Sequence, residues 1–229
     1  MERCCPVVEL RQYTLHPGQR DLLIELFDGK LIEPQEAVGM RVIGQFRDLD
    51  RPDRFVWLRG FSDMASRRES LEAFYGGPVW RAHKDAANAT MIDSDDVLLL
   101  RPVNTTSGFD DAPPRPAVGM RDGAMFVATI CSLDTPAGAI ELERGLMPAL
   151  ASTTPPTLAI FVAETSENTY PALPVRTGEH VVVWVQRTET ALQEATMQAS
   201  IDLAKEWLPG LLGAPAQLRL APTARSELR

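Results

Sequence analysis

Glu9, Arg11 and Tyr13 are spaced two apart. In an extended segment, where side chains alternate between faces, that spacing puts a carboxylate, a guanidinium and a phenol side by side. Such a trio can do acid–base work. Glu9 can transfer a proton, Arg11 can hold a carboxylate or enolate through paired hydrogen bonds, and an arginine beside Tyr13 would favour its phenolate and so its use as a base. These three are the catalytic candidates. The string Phe55-Val56-Trp57-Leu58-Arg59 sets Trp57 and Arg59 on one face of a second extended segment, and with Gln45, His180 and Trp184 they form the substrate-binding candidates. A purely structural explanation stands beside this one: Glu9, Arg11 and Arg59 could form an interior ion-pair cluster packed against Tyr13 and Trp57, because buried charges persist only when paired.

Other chemistries are disfavoured by what the residues lack. His16, His83 and His180 are far apart, no H-x-x-x-H or H-E-x-x-H spacing occurs, and Cys4, Cys5 and Cys131 form no C-x-x-C pair, so no metal site is expected. Reduced thiols are the expectation for all three cysteines. Haem would need an axial ligand, and only His180 is placed to serve. No glycine-rich phosphate loop, Walker motif or nucleophile elbow is present. Cofactors are therefore expected to be none. The net charge of −8 argues against a nucleic-acid partner. The lack of a long apolar run argues against a membrane, and a chain start without an apolar leader gives a cytoplasmic location by default. A small organic molecule is the expected partner, and a homo-oligomer is compatible with this reading.

The elements that must position these residues come in a repeating order. The first half reads as strand (7–15), helix (19–38), strand (40–48), strand (55–61), helix (65–91, interrupted at Gly76-Gly77-Pro78) and strand (97–103). A Ser-, Thr-, Pro-, Gly- and Asp-rich stretch follows. The same order then returns as strand (125–133), helix (137–151), strand (158–164), strand (180–187), helix (190–211) and strand (216–220). The expected fold is α+β, with two tandem ferredoxin-like βαββαβ modules over residues 1–105 and 124–229 joined by a linker at 106–123. Each four-stranded sheet carries both helices on one face and leaves the other bare, so the two sheets are expected to close on each other as an intramolecular barrel. The apolar set Val8, Leu10, Val42, Gly44, Phe46, Val56, Leu58, Gly60, Leu98 and Leu100 is assigned to the helices. The alternate set with Glu9, Arg11, Tyr13, Gln45, Trp57 and Arg59 is assigned to the barrel. From the second half, Met125, Val127, Thr129, Cys131, Ala159, Phe161, Ala163, His180, Val182, Trp184 and Gln186 are assigned to the same interior.

The opening string Glu9-Leu10-Arg11-Gln12-Tyr13-Thr14-Leu15-His16-Pro17-Gly18 resembles the E-L-R-x-Y-x-L-x-P-G signature of the NIPSNAP family. The resemblance continues through residues 39–46, 55–61, Ser66-Arg67-Arg68, Trp80 and 98–102, whereas the second half is similar only in element order. It implies membership of the dimeric α/β-barrel superfamily, which hosts cofactor-free monooxygenases, lyases, isomerases, haem enzymes and proteins without known reaction. A shared scaffold leaves the chemistry open. The expected function is a cofactor-independent small-molecule enzyme acting on an apolar or amphipathic organic substrate in the barrel pocket by acid–base or enolate chemistry. The alternative is a non-catalytic ligand-binding or protein-interaction NIPSNAP-like protein.

Overall fold

In the computed structural model residues 4–110, 115, 123–153, 156–188 and 194–229 are described, with the side chains of 194–196 left aside. Most of the expected linker, at 111–114 and 116–122, lies outside them, as do residues 189–193 at the start of the last expected helix. The first half forms β1 (Val7–Leu15), α1 (Arg20–Leu26), a π-helical segment (Phe27–Leu31), α2 (Ile32–Glu36), β2 (Arg41–Asp48), β3 (Arg54–Phe61), α3 (Met64–Tyr75), α4 (Pro78–Asn88) and β4 (Met91–Pro102). The second forms β5 (Met125–Leu133), a π-helical segment (Glu141–Leu146), α5 (Met147–Ala151), β6 (Thr157–Ala163), β7 (His180–Thr188), α6 (Glu194–Trp207) and β8 (Ala216–Pro222).

Eight antiparallel strands close into a barrel in the order β1-β3-β2-β8-β5-β7-β6-β4, so each half supplies four neighbouring strands. The halves meet along two short ladders, Phe46–Asp48 against Leu220–Pro222 and Leu100–Pro102 against Phe161–Ala163. The helix expected at 65–91 breaks where Gly76, Gly77 and Pro78 fall: α3 ends at Tyr75, and Pro78 opens α4 at a position whose N–H would have no helical partner. The last strand of the first half begins earlier than expected: Met91, expected to end the helix, and residues 92–96, expected in no element, are strand and pair with Gln12, Thr14 and Leu15 of β1. Cys4 and Cys5 are bonded to each other, which corrects the expectation of reduced thiols there, whereas Cys131 is free and buried in β5.

The barrel interior corrects the assignment of faces. It is packed with apolar side chains that include Val8, Leu10, Ile43, Phe46, Val56, Leu58, Leu98, Leu100, Phe126, Ala128, Phe161, Val183 and Leu220. Phe46 packs against Phe126 with ring centroids 5.3 Å apart, and Phe109 against Phe161 at 5.3 Å, both pairs tilted. The set assigned to the helices therefore largely fills the barrel. The set assigned to the barrel faces the helices: Tyr13, Phe55, Trp57, Phe61 and Leu99 pack with Leu23, Phe27, Leu71 and Phe74 of α1, the π segment and α3. A bulge between Val42 and Gly44 switches faces within β2, which sends Ile43 and Phe46 inward and Val42 outward. In the second half Ala159 and Phe161 do face the barrel as expected, but Cys131, Val182 and Trp184 pack under α6 and the second π segment. Among the described residues the barrel interior is occupied by these side chains.

Candidate functional site

The site candidates gather in the layer between the first half's sheet and its helices. The β1–β3 register pairs Glu9 with Arg59, Arg11 with Trp57 and Tyr13 with Phe55, so the carboxylate, both guanidiniums, the phenol and the indole share one face. Glu9 Oε2 accepts hydrogen bonds of 2.7 Å from Arg11 Nη1 and from Arg59 Nε. Its other oxygen, Oε1, accepts one of 2.7 Å from Arg67 Nε on α3. All four charged side chains are at most 1% exposed. Three guanidiniums against one carboxylate leave this cluster two positive charges in excess.

Its electrostatics follow from that imbalance. Burial alone would raise the Glu9 carboxyl, but the charges of Arg59, Arg11 and Arg67 outweigh it and hold the group far below its ordinary range. Burial pushes the Tyr13 phenol up, and the opposing charge of Arg11 does not reverse this. Burial thus favours the neutral phenol, the opposite direction to the phenolate that Arg11 alone would favour. The Tyr13 oxygen accepts a 3.0 Å bond from Arg11 Nε, so its proton is available to donate.

Aromatic rings and a few polar groups complete the surroundings. The Arg59 guanidinium lies 5.1 Å from the Trp57 ring centroid and 5.9 Å from that of Tyr75, and its Nη1 donates to the Tyr75 hydroxyl at 3.4 Å. A void of about 30 Å³ opens beside them, lined by Tyr13, Phe27, Gln35, Trp57, Tyr75 and Trp80 among others. Three buried N–H groups, Trp57 Nε1, Arg59 Nη2 and Arg67 Nη2, have no hydrogen-bond partner among the described residues. A buried donor without an acceptor costs about 1–3 kcal/mol, more when charged, so three in one layer mark a place where acceptors belong.

The remaining candidates lie elsewhere. Gln45 is buried next to Trp57 across the β2–β3 ladder and accepts from Arg115 at 3.5 Å, without touching Glu9. His180 begins β7 and lines a separate pocket of about 160 Å³ with Arg101, Glu143 and Thr165. Trp184 is enclosed in the second half's own sheet–helix layer beside Cys131 and Leu146, where burial pushes the Cys131 thiol up to about 12. Neither His180 nor Trp184 joins the charged cluster. Arg67, Tyr75 and Gln35 are the residues that strand alternation missed. Arg67 was detectable, since Arg67, Leu71 and Phe74 recur at helical spacing on the buried face of α3, and a charge on such a face needs a partner across it.

Residues 8–106 match the family model described as NIPSNAP. No curated protein sequence matches the chain. Among solved structures, a protein of Lactobacillus acidophilus NCFM provisionally named a monooxygenase aligns over 97% of this chain and 97% of its own, with TM-score 0.56 and 10% identity. A provisionally named monooxygenase of Fusobacterium nucleatum aligns over 96% of this chain and 93% of its own, with TM-score 0.55 and 8% identity. At such identities the likeness concerns the fold alone. A NIPSNAP domain protein of Burkholderia xenovorans, described as uncharacterized, covers 42% of this chain and 93% of its own at TM-score 0.39 and 16% identity.

Proposed function

We propose, on the premise that residues 8–106 belong to the NIPSNAP family, that the chain binds a small organic anion between the sheet and helices of its first half. There it handles the ligand by acid–base or enolate chemistry, with no metal or nucleotide cofactor. The strand order, four neighbouring strands from each half, supports two ferredoxin-like units closed into one barrel, with the working layer outside the barrel wall. The observation that carries the proposal is the excess of two buried positive charges around Glu9, with guanidinium and indole N–H groups left unpartnered beside aromatic rings. A planar carboxylate or enolate would supply the missing acceptors and balance the charge, which an apolar or cationic ligand could not. Tyr13, neutral and free to donate, would hydrogen-bond the developing enolate oxygen, while the Glu9 carboxylate, the anion of the cluster, would take the α-proton.

The test separates an enzyme from a binder. Phenylpyruvate, which has an aromatic ring, a carboxylate and an enolisable carbon, is incubated with the protein in D₂O, and deuterium uptake at that carbon is followed by NMR. Accelerated uptake that falls roughly 10²-fold or more in Tyr13→Phe, the usual scale of acid–base assistance, is the expected result. Binding without uptake would leave the non-catalytic alternative, which the small size of the void favours. Binding that ignores Arg59→Met would end the assignment of the site.

A further inference from the structure

The segment joining β6 to β7 is long for its task. It runs over sixteen residues, 164–179, where the matching connection between β2 and β3 needs only five, 49–53. It carries no helix or strand. Connections of more than about 12–15 residues without regular structure are uncommon in compact domains, and function is a frequent reason for them.

This strap leaves its own half and lies over the other. Its ends are tied to β4, where Glu164 N–H donates to Leu99 O at 2.8 Å and Arg176 N–H to Val97 O at 2.9 Å, and Arg176 pairs with Asp96 at 3.2 Å. Its middle reaches the charged cluster. Arg67 Nη1 donates to Asn168 Oδ1 at 3.0 Å and to Thr169 Oγ1 at 3.3 Å, so the arginine that holds one side of Glu9 is itself held by the strap. Thr169 also donates to Met64 O at 3.1 Å, at the start of α3. Tyr170 then stacks on Tyr75, with ring centroids 6.0 Å apart and planes inclined by 20°, and Leu173 packs into the same apolar layer.

We propose that the strap is the outer wall of the first half's site and that Tyr170 is a positioning residue which, by stacking on Tyr75, sets the size of the anion admitted. The proposal rests on the functional reading above. The void of about 30 Å³ is too small for an aromatic acid, so a ligand of that size enters only when Tyr75 moves, and Tyr75 moves only as far as Tyr170 allows. The second half, whose equivalent layer holds Gln186 and Ser200 but no buried ion pair among the described residues, serves this site through its strap.

Two planar carboxylates of different size, benzoate and 2-naphthoate, provide the probes, with affinities measured by titration calorimetry on the full chain. The wild type should favour benzoate. Tyr170→Ala should move the affinity ratio at least tenfold toward 2-naphthoate, while Tyr170→Phe, which keeps the flat ring, should restore the wild-type ratio. Tyr170→Leu retains an apolar contact without a flat ring and should show the same shift if the alanine variant does not fold. Arg59→Met should weaken both probes tenfold or more in either background. An unchanged ratio in Tyr170→Ala and Tyr170→Leu, with both probes still lost in Arg59→Met, would overturn the strap proposal and leave the anion site intact. Failure of both probes to bind any variant, or binding indifferent to Arg59, would overturn the two together.

Discussion

Replacing the Glu9 carboxylate by an amide would leave Arg11, Arg59 and Arg67 buried against one another with no anion between them. Breaking a buried pair in this way typically costs roughly 3–5 kcal/mol. Arg59→Met should cost less, on the order of 1–2 kcal/mol, because Glu9 keeps Arg11 and Arg67 as partners. Denaturant unfolding of the two variants checks the order, and an equal cost would mean that Arg59 alone neutralises Glu9. The pH dependence follows in the same direction. Glu9 has a folded value below its ordinary 4.5, so its contribution is complete above that pH and is lost as pH falls toward the folded value. Glu9→Gln should therefore flatten the acid limb of the stability curve below about pH 4.5. Tyr13, raised from 10.0, contributes below that value and loses its contribution as pH rises through the folded value, so Tyr13→Phe should flatten the alkaline limb.

At the scale of elements, the breaks were legible where proline and glycine forbid continuation, as at Gly76-Gly77-Pro78. The π-helical segments at Phe27–Leu31 and Glu141–Leu146 were not, since each extra residue in a turn leaves the composition of a helix unchanged. The second has a consequence for packing. A Cβ on Gly145 would overlap the ring of Trp207 from α6, so the absence of a side chain is what lets this helix approach. Gly145→Ala should destabilise the protein by about 1–3 kcal/mol, the usual cost of overpacking. Trp207→Leu added to it should recover part of that loss, and thermal melts of the two single variants and the double variant measure the coupling.

For the whole molecule the barrel interior binds the halves together. Phe46 from the first half meets Phe126 from the second, and the ladders at Phe46–Asp48 and Leu100–Pro102 leave open strand edges if either half is removed. Residues 1–105 expressed alone should expose that apolar face and those edges, and self-associate or aggregate. Sedimentation across a concentration series tests this. A monomer with full thermal stability would show that the first half does not depend on the second. Among the described residues no helix is long and apolar enough to cross a membrane.

The sequence by itself determined which side chains share a face. Glu9, Arg11, Tyr13, Trp57 and Arg59 do lie together, because strand alternation is a local property of the backbone. It also determined the order of strands and helices in each half, through hydrophobic periodicity and turn chemistry. Only the tertiary structure decided which face turns inward. Both faces of these strands are buried, so alternation separates two sets without saying where each points, and the apolar set filled the closed barrel because no polar partner waits there. The charged set turned toward the helices, where Arg67, Gln35 and Tyr75 and the strap residues Asn168 and Thr169 supply partners from distant parts of the chain. Those partners are fixed by packing across sequence separations that no local pattern encodes, and the same packing buries Tyr13, which raises its phenol where the sequence reading had only the neighbouring Arg11 to weigh.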